Sequence, residues 1–137
     1  MKKILLFVLF FTALGIRAEL LAQSEPVLYF CERYDENKGE EGVSDRFTKG
    51  YLTVIVKCDN ALGLEDVHIQ FDKYNFRTGD FDFYKKFDYT VDKEMNYIFF
   101  AKNPDSDLKF EDPGFYRVFL LDNNNNTVAS ALIEIIE

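Results

Sequence analysis

The chain has no tryptophan, one histidine, two cysteines and three prolines among its 137 residues. Each scarcity removes a class of protein. One histidine, His68, cannot build a histidine metal cluster, and no Cys/His spacing matches a zinc site. A Ser-His or Cys-His catalytic pair would have to use His68, with Ser44 or Cys31 as nucleophile. Neither sits in a nucleophile elbow or a family signature. The sequence therefore offers no catalytic residues, and no cofactor is expected. Two cysteines permit one disulfide but do not require it. Cys31 and Cys58 lie near strand ends that simple antiparallel pairing would hold far apart, and both a bridge and two separate thiols stay open. No run of basic residues occurs, and acidic residues outnumber basic ones 24 to 16. A surface of that sign repels nucleic acid and anionic lipid.

The one long apolar run, Ile4–Ile16, is too short to span a bilayer comfortably. Lys2 and Lys3 precede it, small residues follow at Ala18 and Ala22, and Gln23, Ser24 and Glu25 come next. This order reads as a signal peptide over residues 1–22 cleaved after Ala22, with Ala18 second and a retained anchor helix as the alternative. Residues 23–137 then form a single domain. Taking Lys2, Lys3, Arg17 and Glu19 away leaves 13 basic against 23 acidic residues, a net charge of −10. The expected location is periplasmic or extracellular, without stable membrane insertion after cleavage.

What the chain has in excess is aromatic: 15 Phe and 8 Tyr, too many for a disordered acidic tail. They recur with a period of two, the mark of half-buried strands. Strands are predicted at Val27–Tyr34, Tyr51–Cys58, from Val67, through Phe81–Val91, and at Met95–Ala101, Phe115–Leu121 and Thr127–Ile136. Asp35–Lys49 and Lys102–Pro113 read as loops. In the long hairpin, a loop of Thr78, Gly79 and Asp80 places Phe71 opposite Phe87, Ile69 opposite Tyr89 and Val67 opposite Val91. Asp72 then faces Lys86 and Tyr74 faces Tyr84, with Phe81 and Phe83 turned inward. In the last hairpin Leu120 pairs with Ala129 across an asparagine loop, so that Tyr116, Val118 and Leu120 share a face with Ala129, Ala131 and Ile133. Seven short strands in about a hundred residues predict an all-β antiparallel sandwich.

The stretch Asp112-Pro113-Gly114-Phe115-Tyr116-Arg117-Val118 resembles the D-x-G-x-Y-x-C segment that opens the sixth strand of immunoglobulin-like domains. The resemblance implies a seven-stranded immunoglobulin-like or fibronectin-like sandwich, with Tyr116 as the corner tyrosine bonded to nearby backbone. Val118 stands where that family carries cysteine, and the customary tryptophan is missing. The same residues look loosely like the closing hairpin of secretion-sorting domains. Architecture of this kind carries no function by itself.

Acidic loops at Asp80 with Asp82, Asp105 with Asp107, and Asp122 with Asn124 and Asn126 present oxygens at alternating positions that could hold calcium. Asp and Asn are also the ordinary residues of turns. The more informative surplus is apolar residues on faces that should be wet. Tyr74, Phe76 and Tyr84 fall on the outer face of the long hairpin, and Phe119, Leu121, Val128 and Leu132 on that of the last one. In an immunoglobulin-like order they share one sheet and form one patch, unless the Asp35–Lys49 loop covers it. The expected function is a binding or structural module that uses this patch against a protein partner or a second copy. The alternative is a carbohydrate-binding module in which Tyr74, Phe76 and Tyr84 stack on sugar rings beside Gln70 and Asp72.

Overall fold

Alternating side chains need a partner layer on one side only, and the chain satisfies this with strands alone. No helix occurs among the described residues, which are 25–102 and 108–137 of a computed structural model. The segment read as a signal peptide, with Asp105 and Asp107, lies outside them.

Twelve strands are formed among these residues. They are β1 (Val27–Cys31), β2 (Arg33–Asp35), β3 (Gly39–Glu41), β4 (Arg46–Thr48), β5 (Gly50–Tyr51) and β6 (Thr53–Lys57), then β7 (Asp66–Asn75), β8 (Asp80–Thr90), β9 (Tyr97–Phe100), β10 (Lys109–Phe110), β11 (Gly114–Asp122) and β12 (Thr127–Ile136). The number exceeds seven because both stretches read as loops contain short strands, and because the first two expected strands are interrupted at Glu32 and Leu52. β2 pairs with β3, and β10 with β5. The two main sheets run in the orders β1-β6-β9 and β4-β12-β11-β7-β8. The second is mixed, since β4 lies parallel to β12, with Arg46 beside Glu134.

The inward side chains of both sheets form one core. Phe30, Val54, Val56 and Phe100 from the smaller sheet meet Ile69, Phe71, Val118, Leu120 and Ile133 from the larger. Burying each such side chain stabilises the fold by about 1.5–3 kcal/mol. Leu108 and Phe110, from a stretch read as loop, are wholly buried in the same core. Tyr116 donates its hydroxyl to the Asp112 carbonyl at 2.7 Å, the corner bond expected of it. Burial pushes its phenol well above the ordinary tyrosine range, helped by nearby Tyr84 and Asp112.

The last hairpin has the expected register, with Leu120 opposite Ala129 and Tyr116 opposite Ile133. The long hairpin does not. Its loop is the four residues 76–79, because Asn75 closes it twice. The Asn75 carbonyl accepts the Gly79 amide at 2.9 Å, and its side-chain oxygen accepts the Arg77 amide at 3.0 Å. Gly79 takes φ +79°, where a side chain would be strained. Ile69 therefore opposes Phe87, and Val67 opposes Tyr89. That two-residue slip preserves the faces, because side chains alternate with period two. Nearer the turn a bulge intervenes: Phe71 opposes Lys85 and Asp72 opposes Phe83, leaving Tyr84 as the extra residue. From there to the turn the faces are exchanged. Tyr84 is turned inward, its ring 5.5 Å from that of Tyr116, while Phe83 is turned out and 65% exposed.

Candidate functional site

The outer face of the five-stranded sheet can be laid out from the register, because residues paired across strands share a side. One row runs Arg46, Glu134, Phe115, Tyr74 and Phe81. Phe115 and Tyr74 fall side by side because their inward neighbours Tyr116 and Lys73 are paired. The next row is Leu132, Arg117, Asp72 and Phe83, and the third is Ser130, Phe119, Gln70 and Lys86. A fourth contains Leu121, His68 and Asp88. One end of the face is thus aromatic, its centre holds one cation and one anion, and its other end is polar.

Of the residues expected here, Tyr74, Phe76, Phe119 and Leu132 are on the face. Phe76 is 73% exposed and Leu132 57% exposed. Tyr84 is not on it, because the bulge turns the side chain into the core margin. Leu121 faces His68 across the strands but is buried, and Val128 packs against the margin of the core. The face also has members the sequence reading left out. Phe115 and Arg117 alternate outward in the same frame that turns Tyr116 and Val118 inward, so their signal was present. Phe81 and Phe83 had no such signal, since only the bulge brings them out.

The rings meet mostly at edges. Tyr74 lies 5.1 Å from Phe76 at an interplanar angle of 88° and 5.2 Å from Phe81 at 61°, and Phe76 lies 6.3 Å from Phe115 at 58°. The Arg117 guanidinium carbon sits 4.5 Å from the Phe81 ring centre and 5.9 Å from that of Phe119. Asp72 accepts the Gln70 side-chain amide at 2.9 Å. At the margin, Asp45, Arg46, Phe115, Leu132 and Glu134 line a shallow groove of about 400 Å³.

The Asp35–Lys49 segment does not cover this face. Its hairpin, β2–β3, lies instead over the outside of the smaller sheet, where Tyr34 stacks on Phe99 at 4.3 Å and 12°. Glu40 there accepts the hydroxyls of Tyr29 at 2.6 Å and Tyr97 at 2.7 Å. Burial alone would raise the Glu40 carboxyl, but the two hydrogen bonds and the charge of Lys57 outweigh it and leave it below its ordinary value. Both phenols are pushed up, first by burial and then by Glu40. The arrangement fastens the hairpin and buries Cys31 beneath it.

The other candidates resolve into local chemistry. Cys31 is opposite Thr53, and Cys58 follows Lys57 at the other end of β6. Five residues of strand separate their positions by about 17 Å, against the roughly 7 Å limit for a disulfide, and no disulfide joins them. The Asp122 carboxylate is occupied by its own turn, accepting the Asn124 and Asn126 amides and the Asn126 side chain at 2.8–2.9 Å. Those bonds hold it below the ordinary carboxylate range. Asp82 accepts the Asn75 side chain at 2.8 Å. His68 bonds Asp88 through Nδ1 at 2.6 Å, while Ser44 bonds Arg46 and the Cys31 thiol donates to the Arg33 carbonyl. Among the described residues no group of three or more His, Cys, Asp or Glu side chains converges as a metal site. Compared with protein-family models, curated proteins and solved structures, the chain matches none.

Proposed function

We propose that this is an exported, non-catalytic binding module that meets a protein partner through the outer aromatic face of its five-stranded sheet. The observation that carries the reading is the exposure of Phe76, Phe83, Phe115 and Leu132 together around Arg117. Apolar side chains gain nothing from folding when left in water, and aromatic residues with arginine are the usual anchors of protein interfaces. The edge of the same sheet is guarded. Of its two outermost strands, β4 is only three residues long, and β8 is interrupted by the bulge at Tyr84 and carries Asp80, Asp82, Lys86 and Asp88. Such edges resist strand addition, so recognition falls to the face.

A sugar ring stacks on the flat of an aromatic ring. Here Tyr74 meets Phe76 and Phe81 edge to face, while Gln70 and Asp72 are bonded together. Both features support a protein partner over a glycan. The strand orders β1-β6-β9 and β12-β11-β7-β8, with the corner at Tyr116, support an immunoglobulin-like sandwich to which β4 adds a parallel edge.

The test is to measure stability and association on the same variants. Phe76→Ser and Phe115→Ser should each leave the unfolding free energy within about 1 kcal/mol, as surface changes do. Each should also abolish partner capture or self-association. Large destabilisation with unchanged association would refute the interface, and oligosaccharide binding lost in both variants would move the reading to glycans. Export follows from residues 1–22: N-terminal sequencing of envelope or secreted material should begin at Gln23. Recovery of the intact chain from cytosol would end that part of the proposal.

A further inference from the structure

The face carries balanced charge although the chain as a whole is at −8. Its four rows hold Arg46, Arg117 and Lys86 against Asp72, Asp88 and Glu134. Four of these six are engaged within the chain. Arg46 pairs with Glu134 at 3.0 Å, Asp88 with His68, and Lys86 donates to the Asn125 side chain at 2.6 Å. Arg117 and Asp72 remain. They are cross-strand neighbours, yet among the described residues neither forms an ion pair: the guanidinium rests on Phe81, and the carboxylate takes only the Gln70 amide.

A half-buried arginine and aspartate left unpaired side by side are what a twofold axis can use. We propose that the occupant of this face is a second copy of the chain, packed face to face about a twofold running along the strands between β11 and β7. The inference rests on the binding-face reading and names its partner. Rotation about that axis lays β11 of one copy over β7 of the other, and β12 over β8. Each Arg117 then meets the other copy's Asp72, so two charge pairs form at the centre. The same operation sets Leu132 over the partner copy's Phe83, joining two of the most exposed apolar residues of the face, and Phe115 over its Tyr74. The strand axes of the two faces lie along one line, as in aligned sheet packing. A shift of the axis by half a strand spacing, onto β11 or onto β7, would set Arg117 against Arg117 or Asp72 against Asp72, so the charges also fix the register.

The size is sufficient. The four strands that overlap, β12, β11, β7 and β8, lie about 4.8 Å apart and with nine residues of about 3.4 Å give a face of roughly 19 by 30 Å, or about 600 Å². Stable interfaces start at about 600 Å² from each partner, and corrugation by the projecting rings adds to the area. Like charge on the remaining surface opposes association, which should therefore strengthen as salt rises to screen it and weaken again only where the central pairs are screened.

Sedimentation equilibrium of the purified protein over a wide concentration range should show a monomer–dimer equilibrium. Arg117→Asp alone and Asp72→Arg alone should each weaken the dimer about 30-fold or more, the cost of an unpaired charge at an interface. The double exchange, Arg117→Asp with Asp72→Arg, should return it to within about tenfold of the parent. Leu132→Glu, at an exposed position, should weaken it without loss of fold and serves if the charge variants misfold. A parent that stays monomeric, or a dimer indifferent to Arg117→Asp and Leu132→Glu, overturns the second-copy proposal. The face reading itself falls on a different result, the unfolding of Phe76→Ser and Phe115→Ser variants.

Discussion

Phe110→Ala is expected to cost about 3–5 kcal/mol of stability, as much as truncating an aromatic in the middle of a long strand. By sequence Phe110 belongs to a polar loop bounded by two prolines, where a substitution would change stability by about 0.5 kcal/mol or less. The structure gives it a different status. Lys109 and Phe110 form a two-residue strand against Gly50 and Tyr51, and the ring is wholly buried. It meets Phe71 edge-on at 5.3 Å and Tyr116 at 5.0 Å, with the Lys85 ammonium 5.6 Å from its centre. Removing the ring opens a cavity beneath the tyrosine corner and takes away two aromatic pairs worth about 0.5–1.5 kcal/mol each. In urea the unfolding midpoint should fall with an unchanged slope, since the surface exposed on unfolding hardly changes. A midpoint shift no larger than that of an exposed-site variant would show that this segment is not part of the core.

The contrast between Phe110 and the last hairpin shows what a sequence can reveal here. Tyr116, Val118 and Leu120 alternate over a long strand, and so do Ala129, Ala131 and Ile133. A short Asp-Asn loop then admits one register that buries both sets, and that register is present. Phe47 is a single apolar residue in a polar stretch, and Phe110 has only Leu108 beside it in another. A strand of two or three residues has no period, so nothing local distinguishes a core ring from a stray one. The direction of the Asp35–Lys49 segment was equally hidden. It depends on Tyr34 finding Phe99 and on Glu40 finding two hydroxyls, all distant in sequence.

The candidate site divides along the same line. Phe76, Phe119 and Leu132 could be assigned outward because alternation near them is unbroken. Arg117 was in frame as well, but its importance lies in a missing ion pair, which depends on where the folded side chains end. Phe81, Phe83 and Tyr84 were exchanged because one inserted residue inverts every face beyond it. The bulge in turn makes room inside. Tyr84 and Lys85 point inward in succession, and the Lys85 ammonium lies 5.3–5.6 Å from the ring centres of Phe71, Tyr84, Phe87 and Phe110 while donating to the Lys109 carbonyl.

The inverted pair gives the sharpest test of that bulge. Tyr84→Ala should cost about 2–4 kcal/mol, somewhat less than a fully buried aromatic because the ring lies at the core margin. It would lose the contact with Tyr116 and uncover the aromatic surroundings of Lys85. Phe83→Ala, one residue away and 65% exposed, should change stability by about 0.5 kcal/mol or less. Uninterrupted alternation demands the opposite order, with Phe83 in the core beside Phe81 and Phe87 and Tyr84 in water. Since the two residues are adjacent and nearly equal in size, differences in denatured-state behaviour largely cancel between the variants. Chemical denaturation of both therefore reads the face of β8 directly. If Phe83→Ala proves the costlier change, the bulge is wrong, and Phe81 and Phe83 leave the proposed interface together.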